Sequence, residues 1–223
     1  MTKKARLAID ILMTVLLPLL MAYSLIREQF HEIAGTLMLV LFIAHHVMNR
    51  GWYKALFKGK YTARRIFQTV LNMLLLVFMI LQPLSGILMS KHLYTFIRLP
   101  GVTVTARQIH QCLAYWGFVL MCLHAGTHLT IPLGKLERNK NQTWTIVMAG
   151  SAVISIYGIF AFVKRGLADY MFLKSAFVFF DFYEPRVYFF LDYLAVMILF
   201  AFAGYWIMNG LTALDSPRKG HRI

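Results

Sequence analysis

The chain predicts an all-α fold, a polytopic transmembrane helical bundle of about six helices. Three observations predict it: an apolar composition, successive apolar runs near twenty residues long, and basic residues gathered between the runs. Of 223 residues, 59% are hydrophobic and 14% charged, with a mean hydropathy of +0.62. A soluble domain of this composition would lack the polar surface to cover itself. A formal net charge of +14 in a soluble chain would suggest nucleic acid as a partner. Here the bases follow membrane topology, so the expected partner is the lipid bilayer and no nucleic acid.

The expected helices lie at about 7–26, 30–49, 66–89, 108–131, 143–163 and 187–210. The first, within MTKKARLAIDILMTVLLPLLMAYSL, reads as a retained span. A signal peptide would carry a shorter apolar core and a small-residue cleavage site. Lys3, Lys4 and Arg6 precede it, and Arg50, Lys54, Lys58, Lys60, Arg64 and Arg65 follow the second helix. Lys135, Arg138 and Lys140 follow the fourth; Arg218, Lys219 and Arg222 follow the sixth. These segments alternate to one side, which the positive-inside rule makes cytoplasmic, with both termini there.

Within the third helix, Gln82-Pro83 and Ser85-Gly86 predict a bend near the outer face. The stretch KRGLADYMFLKSAFVFFDFYEPR is aromatic but broken by charge, and so predicts an interfacial connection rather than a seventh span. Cys112 and Cys122 share one apolar run and form no C-x-x-C or C-x-x-C-H motif. Thioredoxin-like chemistry and covalent c-type haem attachment are thereby excluded.

The second helix carries His31 and His45; the fourth carries His110 and His124. Each pair is fourteen residues apart, close to four full turns, so both members project from one face about 21 Å apart. The two helices run in the same direction, which sets His31 level with His110 and His45 level with His124. Two opposed imidazoles at membrane depth suit axial ligation of haem iron, twice over. Zinc would need four ligands converging on a point. Gly35 and Ala114 each follow the outer histidine by four residues and leave room for a flat ring. His128, one turn beyond His124, is the alternative inner ligand, and His46 is rotated about 100° from His45. For anionic propionates the cations considered are Arg27, Lys91 and Arg107 outside, and Arg50, Arg64, Arg65 and Lys135 inside. His92 and Arg98 mark an outer place where a quinone could react, while His221 is a tail residue and Asp10 and Asp192 carry no expected role. Hydrogen-bonded packing histidines, or histidines relaying protons or a transported metal, form the rival reading. The repeated residues avoid the midplane, and helices two and four are unbroken, unlike the broken helices of transporters.

The stretches HEIAGTLMLVLFIAHHVMNRGWY, SGILMSKHL and HQCLAYWGFVLMCLHAGTHL resemble the flavinylation-associated membrane cytochromes, a bacterial family. The resemblance covers about residues 7–131. It implies a haem-binding four-helix core over 1–131 and an extension over 132–223 with two further helices. It also implies two b-type haems held by His31, His45, His110 and His124, and electron transfer across a bacterial inner (cytoplasmic) membrane. A quinol or membrane dehydrogenase is the donor so implied, and an FMN-bearing protein the outer acceptor. The paired-histidine motif is shared with quinol-oxidising cytochromes and with the b-type subunits of hydrogenases and formate dehydrogenases.

Overall fold

The structure is a computed structural model that describes residues 3–97, 99–139 and 142–215. Arg98, Lys140, Arg218, Lys219, His221 and Arg222, all named above, lie outside the described residues. Among the described residues the chain is helical without strands: α1 (Lys3–Met21), α2 (Glu28–Met48), α3 (Gly51–Ala55), α4 (Ala63–Leu88) and α5 (Thr103–His128), then α6 (Thr130–Arg138), α7 (Gln142–Lys164), α8 (Leu167–Met171) and α9 (Arg186–Asp215). The six expected helices are α1, α2, α4, α5, α7 and α9. Five spans among the described residues are long and apolar enough to cross a membrane; α1 is the helix that falls short. Its 19 residues include Lys3, Lys4, Arg6 and Asp10, which leave too short an apolar stretch. The short helices α3, α6 and α8 are unforeseen, because five to nine residues carry too little periodicity to read.

Helix α4 continues through Pro83 to Leu88. Its first turn is capped twice. Thr62 accepts from the Arg65 amide at 3.4 Å, and Asp215 at the end of α9 accepts from the Ala63 and Arg64 amides at 2.9 and 3.0 Å. A carboxylate there satisfies free N–H groups and favours the positive end of the helix dipole.

Helix α1 packs on α2, α2 and α5 each pack on α4, and α9 lies between α5 and α7. One apolar cluster joins Leu17 and Met21 of α1, Tyr115, Phe118 and Cys122 of α5, and Phe189, Tyr193 and Val196 of α9. A second joins Leu16 of α1, Met38, Leu41 and Phe42 of α2, and Met79 of α4. Outward faces of α7 and α9 remain apolar, as lipid-facing helices require.

The α5–α9 and α7–α9 contacts depend on small residues. A Cβ at Gly126 would strike the Ala201 carbonyl, one at Gly204 the Leu123 carbonyl, and one at Gly158 would lie 2.6 Å from the Ala195 carbonyl oxygen. Backbones this close gain dispersion and weak Cα–H···O contacts, which replace the hydrophobic drive that lipid removes. Gly126→Ala should therefore destabilise the bundle by about 1–3 kcal/mol through overpacking. Gly150→Ala, where nothing lies within 4 Å, should be neutral. Thermal unfolding in detergent, followed by circular dichroism, distinguishes the two.

Candidate functional site

Helices α2 and α5 face one another across a gap. His31 and His110 meet there with ring centroids 6.0 Å apart and planes at 72°. A cavity of about 850 Å³ surrounds them; Gly35, Ala114, Gly86, Gln82 and Arg107 are among its lining residues. That volume falls in the range of cofactor pockets. The sequence-predicted neighbours Gly35 and Ala114 thus share one wall space with the two outer histidines.

Helix α4 shapes the His110 side. Ser85 donates to the Gln82 carbonyl at 2.8 Å, and the His110 Nδ1–H faces that same carbonyl at 3.1 Å and Ser85 Oγ at 3.2 Å. This tautomer leaves Nε2 unprotonated, 3.3 Å from the Gln82 amide nitrogen. A Cβ at Gly86 would come within 3.2 Å of the His110 ring, so glycine makes the seat for it. His31 Nδ1 and Gln82 Oε1 are buried without hydrogen-bond partners, and Tyr23 meets the His31 ring edge-on at 5.8 Å.

The pair fits a metal held between two imidazoles. Two bonds of about 2 Å, with about 1 Å from each nitrogen to its ring centre, place the centroids about 6 Å apart. The cavity between α2 and α5 has the volume of a cofactor pocket, and His31 and Gln82, which carry buried unsatisfied polar atoms, line it. No group of three or more His, Cys, Asp or Glu among the described residues could cage a metal ion.

Glu32, beside His31, holds the loop over the outer end. Its carboxylate accepts from Ser90 Oγ at 2.7 Å and from the amides of Lys91, His92 and Leu93 at 2.8, 3.2 and 2.8 Å. Four charge-assisted bonds compensate a carboxylate placed in an apolar span. Thr36 donates to the Glu32 carbonyl at 2.8 Å, so in the 2.9 Å contact with Tyr94 the tyrosine hydroxyl donates. His92 itself is exposed.

At the other end the histidines gather without forming the same pair. His45 meets His46 at 5.6 Å, and His124 meets His128 at 4.7 Å. His124 lies within electrostatic reach of His45 and His46. His46 contacts Tyr53 Oη at 2.6 Å and the Phe42 ring at 4.3 Å. His45 Nδ1–H donates to Asp10 Oδ1 at 2.8 Å, a partner across α1 and α2 that sequence reading overlooked. No spacing rule joins residues on different helices, so only the fold reveals it.

The expected cations divide. Arg107 lines the cavity and sits over the Phe177 ring at 5.6 Å. Lys91 also lines it but is paired with Glu28 at 3.0 Å. Arg27 is exposed at the start of α2 and not among the lining residues, and Arg50 is exposed where α2 meets α3. Arg65 is spent on the Lys60 and Ala55 carbonyls and the Tyr61 ring.

The connection after α7 holds no helix long and apolar enough to cross a membrane. It does more than lie on the surface, however. Gly166 adopts φ +61°, turning the chain into α8. There Leu167, Tyr170 and Met171 are buried. The Met171 carbonyl accepts from Trp116 Nε1 at 3.0 Å, and Gln111 donates to the Ser175 carbonyl at 2.8 Å. Residues Ala176, Phe177 and Val178 then line the cavity.

Buried Asp192 ties this connection down. It accepts from Tyr157, from Lys164 at 3.0 Å and from Arg165 Nε at 2.7 Å, while Glu184 pairs with Lys164 at 2.9 Å and Arg165 at 2.5 Å. Burial opposes the Arg165 charge, yet Glu184 and Asp192 hold its proton above the usual guanidinium value. Burial likewise opposes the Glu184 charge, but Lys164 and Arg165 hold its carboxyl below the ordinary range.

An integral helical membrane protein with an imidazole pair buried across a cofactor-sized gap is a redox carrier by class. Residues 6–139, more than half of the chain, match the prokaryotic cytochrome b561 family, and the chain belongs to it. No curated protein and no solved structure matches. Membership makes this a multi-pass bacterial membrane protein that carries b-type haem and transfers electrons across the membrane.

Because the Glu184 carboxyl is lowered in the fold, its stabilisation is full above the unfolded value near 4.3 and is lost as pH falls through the folded value. Wild-type melting temperature should thus drop as pH is taken from about 5 to about 3. Glu184→Gln should cost about 1–3 kcal/mol at neutral pH and flatten that acid limb. Thermal melts across this pH series decide it.

Proposed function

We propose that this chain is a dihaem electron conduit in which His31 and His110 hold one b-type haem and His45 and His124 a second. The observation that carries the reading is the His31–His110 ring pair at 6.0 Å across the cavity between α2 and α5. The equal fourteen-residue spacing on both helices, together with the four histidines at the other end, supports the second site. Bound iron supplies one-electron cycling between ferric and ferrous states.

The chain's residues do the holding and tuning. The His110 tautomer is set by the Gln82 carbonyl, which leaves Nε2 as the ligating atom. Gly35, Ala114 and Gly86 keep the ring space clear, and Arg107 is placed to meet a propionate at the cavity rim. Arg27 and Arg50 act as further anion contacts at the two rims of α2. The Glu32-bound loop and the 176–178 segment line the outer part of that space.

Lys3, Lys4, Arg6, Arg50 and Lys135 mark the His45–His124 end as cytoplasmic, with both termini on that side of the bacterial inner membrane. A quinol or membrane dehydrogenase serves as donor, and an outer-face flavoprotein carrying FMN as acceptor. Relay of a transported metal is the weaker reading, since no cluster of three ligands is present among the described residues.

Protein purified after expression with ample haem should give a low-spin reduced spectrum and about two haems per chain. His31→Ala or His110→Ala should remove one haem, and His45→Ala or His124→Ala the other. A haem-to-protein ratio unchanged by His110→Ala overturns the ligand assignment.

A further inference from the structure

A second hollow, of about 520 Å³, shares no lining residue with the cavity of His31 and His110. Leu56, Phe57, Gly59 and Tyr61 line it from the α3–α4 loop, and Thr69 and Met73 from α4. Apart from Thr69, its side chains are apolar or aromatic. The loop is fastened in place. Arg65 donates to the Lys60 carbonyl at 3.1 Å and to the Ala55 carbonyl at 2.5 Å, and its guanidinium lies 4.2 Å from the centre of the Tyr61 ring. The Tyr61 hydroxyl donates to the Leu56 carbonyl at 2.6 Å. Gly59 turns the chain at φ +78°, and a Cβ there would come within 3.2 Å of Arg65 Nη1. A guanidinium therefore abuts two residues of the hollow.

Thr69 and Met73 lie about 9 and 15 Å along α4 from its first residue, Ala63. Since α4 is a membrane span, the hollow runs from the basic loop into the hydrocarbon layer. Any apolar surface at that depth meets acyl chains; the charge at its mouth sets this one apart. Lys58 and Lys60 alternate in sequence with the lining residues Phe57, Gly59 and Tyr61. They and Lys54 are exposed, and none of the three is in an ion pair described. Between Glu32 and Glu137 the sequence holds no Asp or Glu. The carboxylate that reaches this end of α4, Asp215, accepts from the Ala63 and Arg64 amides and faces the Arg64 charge. The two carbonyl bonds of Arg65 leave further N–H groups for an anion. A basic mouth above an apolar slot complements a molecule with an acidic head and an apolar tail.

We propose that this hollow binds one anionic phospholipid, its phosphate met by Lys58, Lys60 and Arg65 and an acyl chain lying against Phe57, Thr69 and Met73. Inorganic phosphate offers the head alone. A zwitterionic lipid offers the same tail with its phosphate already compensated, so it gains less from the lysines. The site uses none of the histidines, and its occupancy does not depend on theirs.

The experiment is native mass spectrometry of the full-length protein in mild detergent. Phosphatidylglycerol, phosphatidylcholine with the same acyl chains, and inorganic phosphate are each titrated in. Wild type should hold one phosphatidylglycerol at least about fivefold more tightly than phosphatidylcholine. Lys58→Gln and Lys60→Gln should each lower phosphatidylglycerol affinity about fivefold and leave phosphatidylcholine unchanged. Met73→Trp, which fills the hollow and keeps every charge, should weaken both lipids; Thr69→Leu is the milder filling if Met73→Trp does not fold. Lys135→Gln, a cation of α6 away from the loop, should change neither. Equal affinity of wild type for the two lipids overturns the proposal. So does a loss from Lys135→Gln as large as that from Lys58→Gln, which would mean diffuse attraction without a site. Displacement of phosphatidylglycerol by millimolar phosphate, or binding untouched by filling the hollow, overturns it too, because the head alone would then carry the affinity.

Discussion

A helix that must present histidines to a gap needs something solid behind it, and in α5 that support is glycine. Gly126 lies about 160° round the helix from His110, on the opposite face. There the α5 backbone meets that of α9, with Gly126 against Ala201 and Gly204 against Leu123. Between helices in lipid, close backbone contact is the main attraction available. Because α9 and α4 hold α5 from behind and from the side, its front can stay unpacked against α2 without the bundle collapsing. Helix α2 is braced in the same way by α1 and α4. The cavity is therefore a consequence of how the surrounding helices pack, and the 6.0 Å ring pair is its signature.

Polar groups near this cavity obey the rule that membranes impose: each charge is bonded or lies at a rim. Glu32 is bonded by three successive amides and a hydroxyl, so the loop after α4 is fixed by a residue of α2 that neighbours a proposed ligand. Ser90, Lys91 and Tyr94 of that loop line the outer part of the cavity. Lys91 is neutralised by Glu28, leaving Arg107 as a lining cation without a carboxylate partner in the ion pairs described. An anionic group entering the cavity would meet it first.

The connection from Gly166 to Pro185 shows how a charged, aromatic stretch becomes part of a core. Asp192 is fully buried, yet Tyr157, Lys164 and Arg165 satisfy it. Breaking such a pair leaves an uncompensated charge, which costs far more than the pair itself gains. The network therefore fixes where the segment starts and ends, and Trp116, Cys112 and Gln111 fix its middle to α5. The segment thereby reaches the cavity wall.

The sequence by itself determined the helical class, the order of the six long helices, and the histidine repeat on α2 and α5. Each is a local or periodic property: apolar run length follows bilayer thickness, and fourteen residues follow helix pitch. It also placed Gly35 and Ala114 beside the outer histidines. Only the tertiary structure decided what lies opposite each ring. The Asp10–His45 bond, the Gly86 seat under His110, the Glu32 clamp and the buried Asp192 network all join residues 24 to 61 positions apart. Such pairings depend on how helices rotate and cross, which packing sets and periodicity does not. The same holds for α1, whose Asp10 and place against α2 give it a hydrogen-bonding role that its hydropathy alone did not disclose.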